Sequence, residues 1–248
     1  MATELIRFDR VVAGYGGLTV LNGLSFAANA GEITLLIGPN GAGKSTALKT
    51  LFGLLAPSGG EIRFDGRVVS GHAPRALLRA GIAFVPQGRN LFPSLSVRHN
   101  LELGGITLPR ADLARRMEEV LARFPRLHER AGNQASTLSG GEQKQLEIGR
   151  ALLLRPRVIL IDEPSIGLSP KISRDVFRLL RALADGGTTV LMVEQNVRSA
   201  LAVSDRAVAL EGGRVALERP AADLLKDPDL NRLFLGGAGG RPHSGGVV

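Results

Sequence analysis

The segment Gly38-Pro39-Asn40-Gly41-Ala42-Gly43-Lys44-Ser45 restricts the fold of this chain more than any other stretch. It fits the pattern of a glycine-rich phosphate loop. An apolar run, Ile33 to Ile37, precedes it, and Gly43 to Leu54 follows with Leu48, Leu51 and Leu55 at helical spacing. Strand, tight turn and helix in that order are what the pattern requires. Backbone N–H groups of such a turn surround phosphate oxygens, the following helix offers its positive N-terminal end, and Lys44 adds a full charge. Ser45 is suited to hold Mg²⁺.

The remaining chain supplies strands for this unit to join. Ile6 to Val12, Thr19 to Phe26, Glu61 to Phe64 and Ile82 to Val85 are short β-rich runs punctuated by Gly or Asn-Gly. The helix after the loop is the one interruption expected there. From Val97 to Leu154, Arg, Glu and Leu recur at helical spacing with no convincing strand, which predicts a helical insert. Strand signals return at Val158 to Ile161, Thr189 to Val193 and Ala207 to Leu210, with a helical stretch, Ile172 to Ala184, between the first two. This alternation predicts an α/β fold with a mostly parallel sheet. No internal repeat is present, and the Gly-rich tail, 236–248, is read as flexible.

A second chemical signal is Val158-Ile159-Leu160-Ile161-Asp162-Glu163, a buried-strand pattern ending in two carboxylates. Ligands of doubly wound sheets bind at such strand ends. Asp162 suits Mg²⁺ through water and Glu163 suits a general base, although alone the pair reads equally well as an ordinary strand exit with helix-capping acids. A third signal is Leu138-Ser139-Gly140-Gly141-Glu142-Gln143 at the start of a helix expected to run to Arg155. Ser139 with Glu142 three residues on makes a capping box, so this segment is at least a good helix start.

Composition narrows the functional classes. Lys+Arg 31 against Asp+Glu 23 leaves +8, a balance suited to phosphates, an anionic membrane face or nucleic acid. With one Tyr, no Trp and nine Phe, no aromatic residues interleave with the basic ones, so no nucleic-acid partner is expected. The absence of Cys excludes disulfides and thiolate metal sites, and the scattered His72, His99, His128 and His243 show no metal-ligand spacing. Residues 11 to 31 are the only uncharged run long enough to span a bilayer, and Asn22, Ser25, Asn29 and several glycines break it. A water-soluble chain is expected.

Together these motifs resemble those of the ATP-binding subunits of ABC transporters, from about Leu5 to Leu235. The resemblance implies a P-loop NTPase (RecA-like) core, an N-terminal antiparallel β subdomain and an inserted helical subdomain. It divides the chain into residues 1–86, with the β subdomain and first part of the core, residues 87–157, with the Q-loop and helical subdomain, and residues 158–235, the second part of the core. By the same resemblance, Gly38 through Thr46 bind the phosphates of ATP and Tyr15 stacks on adenine. Gln87, in Val85-Pro86-Gln87-Gly88, joins Ser45 and Asp162 at Mg²⁺ and senses the permease. Ser139, Gly140, Gly141 and Glu142 form the signature that meets the γ-phosphate held by a second ABC ATPase subunit, identical or different. Glu163 is the implied base, with Gln195 as its catalytic companion.

Three stretches resemble the smaller ATPase of branched-chain amino acid importers: Val85 to Leu101, Phe124-Pro125-Arg126-Leu127-His128-Glu129-Arg130, and Val193-Glu194-Gln195-Asn196. Urea importer ATPases share much of this pattern. The implied setting is the cytoplasmic face of the cell membrane, beside integral permease subunits and, indirectly, a periplasmic or extracellular solute-binding protein. Two positions depart from the general pattern. Gln195 stands where most relatives carry a switch histidine, and an amide neither becomes cationic nor shuttles a proton at neutral pH. Ser169 stands in the usual aspartate place of Ser165-Ile166-Gly167-Leu168-Ser169.

Overall fold

The computed structural model describes residues 3–88 and 90–227, so the tail 236–248 and the far end of the resemblance, Leu235, lie outside the described residues. Two long strands, β1 (Glu4–Tyr15) and β2 (Leu18–Asn29), form an antiparallel hairpin. Gly16 and Gly17 close it with φ of 54° and 86°, the left-handed conformation that a two-residue hairpin turn favours. Strand β1 also pairs with β4 (Gly59–Phe64), which pairs with β5 (Arg67–Val68), completing an antiparallel sheet in the order β2-β1-β4-β5.

The second sheet has six strands in the order β10-β9-β3-β8-β7-β6. These are β3 (Ile33–Ile37), β6 (Ile82–Val85), β7 (Val158–Asp162), β8 (Thr189–Val193), β9 (Arg206–Glu211) and β10 (Arg214–Pro220). All neighbours are parallel except β10, which adds antiparallel to β9 at one edge. The inner strands are continuous apolar runs because both faces are covered. Ile33, Leu35 and Ile37 enter one core, while Leu36, with Leu160 and Leu191, enters the other.

That second core lies between the two sheets and takes Leu48 of α1 (Lys44–Leu51) and Leu77 of α2 (Pro74–Ala80). The first core is covered by the helical insert and the later helices. The insert holds α3 (Val97–Gly104), α4 (Arg110–Arg123), α5 (Pro125–Glu129), a 3₁₀ turn at Ala135–Thr137 and α6 (Gly140–Leu152). The later helices are α7 (Pro170–Asp185), α8 (Val197–Leu201) and α9 (Ala221–Leu225). Among the described residues no helix is long and apolar enough to cross a membrane; residues 11 to 31 lie largely in the β1–β2 hairpin.

Several expectations need correction. The opening third contains two helices, not one: α2 starts at Pro74, whose fixed φ suits a first helical turn. The helix after the phosphate loop stops at Leu51, leaving Leu55 outside it. Gly53 there takes φ 74°, and a Cβ on it would lie 2.1 Å from the His72 carbonyl oxygen. The helix expected to reach Arg155 ends at Leu152. Arg155 has φ 47°, and Pro156 after it sterically disfavours a helical backbone at that position.

Candidate nucleotide site

The parallel sheet delivers three strand ends to one edge. Asp162 and Val193 are register partners, β3 runs beside β8, and the loop from Gly38 leaves the carboxyl end of β3. Gly38, Gly41 and Gly43 take φ of 140°, 84° and 101°. A Cβ on Gly38 would lie 2.2 Å from the Leu210 carbonyl oxygen, so its glycine is required by both conformation and space. The Gly213 N–H donates to the Ala42 carbonyl at 3.2 Å, so the β9–β10 turn buttresses the loop.

Lys44 is buried, and its Nζ donates to the Gly38 and Pro39 carbonyls at 2.7 and 3.0 Å. Its ammonium therefore rests on two carbonyls of the loop, and among the described residues it forms no ion pair. Burial lowers its pKa below the ordinary lysine value, opposed by the negative fields of Glu163 and Asp162. Thr46 is buried one residue beyond Ser45, within α1, and its carbonyl accepts from Thr50 Oγ1 at 2.8 Å. Ser45 Oγ donates to Asp162 Oδ1 at 3.0 Å. Burial raises the Asp162 pKa, the Ser45 hydrogen bond works against this, and the Glu163 charge reinforces it. A hydroxyl and a buried carboxylate in contact are a hard-oxygen pair of the kind Mg²⁺ accepts.

Glu163 is 7% exposed, sits at φ 49° and donates its N–H to the Val193 carbonyl at 2.9 Å. A non-glycine residue held in this left-handed region is backbone strain of the kind that gathers at functional sites. Both of its carboxylate oxygens are engaged by amides: Gln87 Nε2 donates to Oε2 and Gln195 Nε2 to Oε1, each at 2.7 Å. Gln87 is exposed at the end of β6 and Gln195 is exposed after β8, and among the described residues Glu163 is the side-chain hydrogen-bond partner that both share.

Apart from Tyr15, the predicted site residues thus fall into two groups. The structure brings together Gly38 to Thr46, Gln87, Asp162, Glu163 and Gln195. Ser139, Gly140, Gly141 and Glu142 stand apart at the start of α6. Among the described residues no hydrogen bond or ion pair joins them to the phosphate loop. A Cβ on Gly140 would meet Leu168, and one on Gly141 would meet Ile172. The capping box is present: Glu142 Oε2 accepts from the Ser139 N–H at 2.8 Å, and Ser139 Oγ accepts from the Glu142 N–H at 3.4 Å. Tyr15 ends β1 at 46% exposure, outside the core.

Sequence reasoning missed three participants. Glu194, 2% exposed, accepts from the Ser165, Gln195 and Asn196 N–H groups at 2.7, 2.8 and 3.0 Å. Its signal was available: like Glu163, it follows an apolar parallel strand. Asn90 and Glu147 carried no such signal. The Asn90 N–H donates to Glu147 Oε1 at 2.9 Å, its carbonyl accepts from Arg150 Nη1 at 2.5 Å, and Glu147 pairs with buried Lys144. The loop after Gln87 is thereby tied to α6.

Residues 21–166 match the family model described as ABC transporter. The high-affinity branched-chain amino acid transport ATP-binding protein BraG of Pseudomonas aeruginosa is 43% identical over 94% of this chain and 100% of its own length. The probable branched-chain amino acid transport ATP-binding protein LivF of Archaeoglobus fulgidus is 36% identical over 94% of this chain and 99% of its own length. The backbone also superimposes on the ADP conformation of an ATP-binding cassette of an ABC transporter, with TM-score 0.85 and 28% identity over 95% of this chain and 100% of the other.

Proposed function

The chain belongs to the ABC transporter ATPase family, and from that premise we propose that it binds MgATP and hydrolyses it to drive import of branched-chain amino acids through a membrane permease. The observation that carries the catalytic part is the convergence of Gln87 and Gln195 on Glu163, beside Ser45 and Asp162. The substrate class comes from the two branched-chain relatives, which match this chain over nearly all of both lengths.

In this reading Lys44 and the amides of Gly38 to Ser45 bind the phosphates, while Ser45, Asp162 and Gln87 hold Mg²⁺, whose charge helps neutralise the phosphate oxygens. Tyr15 packs against the adenine. Glu163 orients the attacking water and takes its proton, and Gln195 keeps the carboxylate aimed by donating to Oε1. One copy supplies only half of each site. Ser139 to Glu142 lie apart from their own phosphate loop, so they serve the nucleotide of a companion ATPase, their helix end offering positive potential to the γ-phosphate. Binding at that interface joins two subunits, and hydrolysis releases them.

The permease contact is a cavity of about 280 Å³ lined in part by Phe84, Pro86, Asn90, Leu103, Arg150 and Leu154. Phe92, 48% exposed with the Arg150 guanidinium 5.5 Å from its ring centre, extends this surface along residues 90–96. The subunit acts peripherally, on the inner face of the membrane. The deciding experiment is Glu163→Gln in the assembled complex: it retains MgATP binding, loses turnover by about 10²-fold or more, and accumulates the closed pair. Unchanged steady-state hydrolysis refutes the assignment.

A further inference from the structure

Glu194 is buried as deeply as Asp162, yet among the described residues no hydrogen bond or ion pair joins it to the phosphate loop. It collects N–H groups from two separate loops. Its Oε1 accepts from Ser165, which opens the loop after Glu163, and its Oε2 accepts from Gln195 and Asn196, which turn away from β8. A carboxylate withdrawn from water is costly to bury unless charge-assisted hydrogen bonds replace its hydration, and these three amides do so. Between the two loops lies a cavity of about 280 Å³ bounded by Glu163, Ser165, Ile166, Leu168, Glu194 and Gln195. Glu163 and Glu194 therefore border one space, and Ile166, which also lines it, is 49% exposed.

We propose that Glu194 is a positioning residue for ATP hydrolysis: its carboxylate holds the Ser165 loop and the Gln195 turn in fixed register around Glu163. The inference deepens the reading of Glu163 as the base and rests on it. Gln195 is solvent-exposed, so its amide reaches Glu163 Oε1 only while its own backbone is fixed, and Glu194 holds that backbone N–H. The same carboxylate grips Ser165, so displacement of the exposed Ile166 loop is passed to Gln195 through one rigid group rather than through the phosphates.

The test measures kcat and MgATP affinity in the complex that the full chain forms with its companion and permease. Glu194→Ala lowers kcat by about 10-fold or more while leaving MgATP affinity within about 2-fold. Glu194→Gln fills the same volume but sets an NH₂ donor against N–H donors, so it is no better than Ala. Glu194→Asp keeps both acceptor oxygens on a side chain one methylene shorter, so it recovers about 3-fold over Gln and stays below the wild-type kcat. Added to Gln195→Ala, Glu194→Ala costs less than about 2-fold more, because both act through one amide. A wild-type kcat for Glu194→Gln, or fully multiplicative losses in the double variant, overturns the proposal. If the Ala and Gln chains do not fold, Glu194→Asp decides: lower kcat at unchanged affinity supports it and a wild-type kcat overturns it. Glu163→Gln, run alongside, separates the two readings. If it stalls while Glu194→Gln turns over normally, this inference alone fails; if it turns over normally, the base assignment fails and this inference falls with it.

Discussion

Replacing Glu147 with Leu isolates one member of a buried ion pair, and the structure sets the size of the effect. The Lys144 and Glu147 side chains are 7% and 5% exposed, with Nζ 2.5 Å from Oε2. Removing the carboxylate leaves an ammonium that is only 7% exposed without its partner, which costs about 3–5 kcal/mol. In a domain of this size each kcal/mol lowers Tm by about 2–4 °C, so Glu147→Leu melts about 6–20 °C below the parent chain. The double variant Lys144→Met with Glu147→Leu removes both charges. It leaves only the Asn90 N–H without its acceptor, a loss of about 1 kcal/mol, so its Tm returns to within about 4 °C of the parent. Differential scanning calorimetry on the three chains at one pH and salt concentration makes the comparison. A Glu147→Leu chain melting within 2 °C of the parent, or a double variant melting no higher than the single, refutes the reasoning.

Three further outcomes test the site itself. Lys44→Ala removes the one full positive charge within the phosphate loop and lowers MgATP affinity by about 100-fold in equilibrium dialysis; normal binding would show that the loop is misassigned. Gln195→His stays within about 3-fold of the parent turnover, since an imidazole N–H replaces the amide donor to Glu163; complete loss would show a specific need for the amide. Asp162→Asn abolishes hydrolysis but raises thermal stability at neutral pH. Because burial puts the folded pKa of Asp162 above its ordinary value of 3.8, the folded chain binds more protons in that window, and its stability falls as pH rises through it. The Asn gain is therefore full above the folded pKa and fades as pH drops toward 3.8, which pH-dependent melting curves measure.

The strands of the parallel sheet were legible because burial on both faces leaves continuous apolar runs: β3, β6 and β8 match their expected bounds residue for residue. What was not legible lies where side-chain pattern carries less information than backbone pairing. β10 is an edge strand with charged residues at Arg214, Glu218 and Arg219, and β5 has two residues, so neither shows the alternation that marks a half-buried strand. The strand-end setting of the Gly38 loop and of Asp162 and Glu163 was readable because each motif is contiguous in sequence. The attachment of Gln87 and Gln195 to one carboxylate was not, since the three residues come from the ends of three separate strands. Only the order β8-β7-β6 makes them neighbours.

That neighbourhood resolves a tension in the catalytic assignment. A general base whose two oxygens both accept hydrogen bonds looks occupied, yet each carboxylate oxygen has two acceptor directions, and each amide uses one. One direction per oxygen remains for water. Because the donors sit on opposite oxygens, they fix the plane of the carboxylate, which a single donor would leave free to rotate. A histidine at position 195 would hold the same single oxygen as Gln195 but bring a titration of its own near neutral pH. With Gln87 and Gln195 as donors, neither clamp changes protonation over the physiological range, so the aim of Glu163 is set by the positions of the two loops alone. Movement of either loop withdraws a donor from Glu163, so under the proposed assignment Gln87 and Gln195 share a means of making hydrolysis depend on assembly.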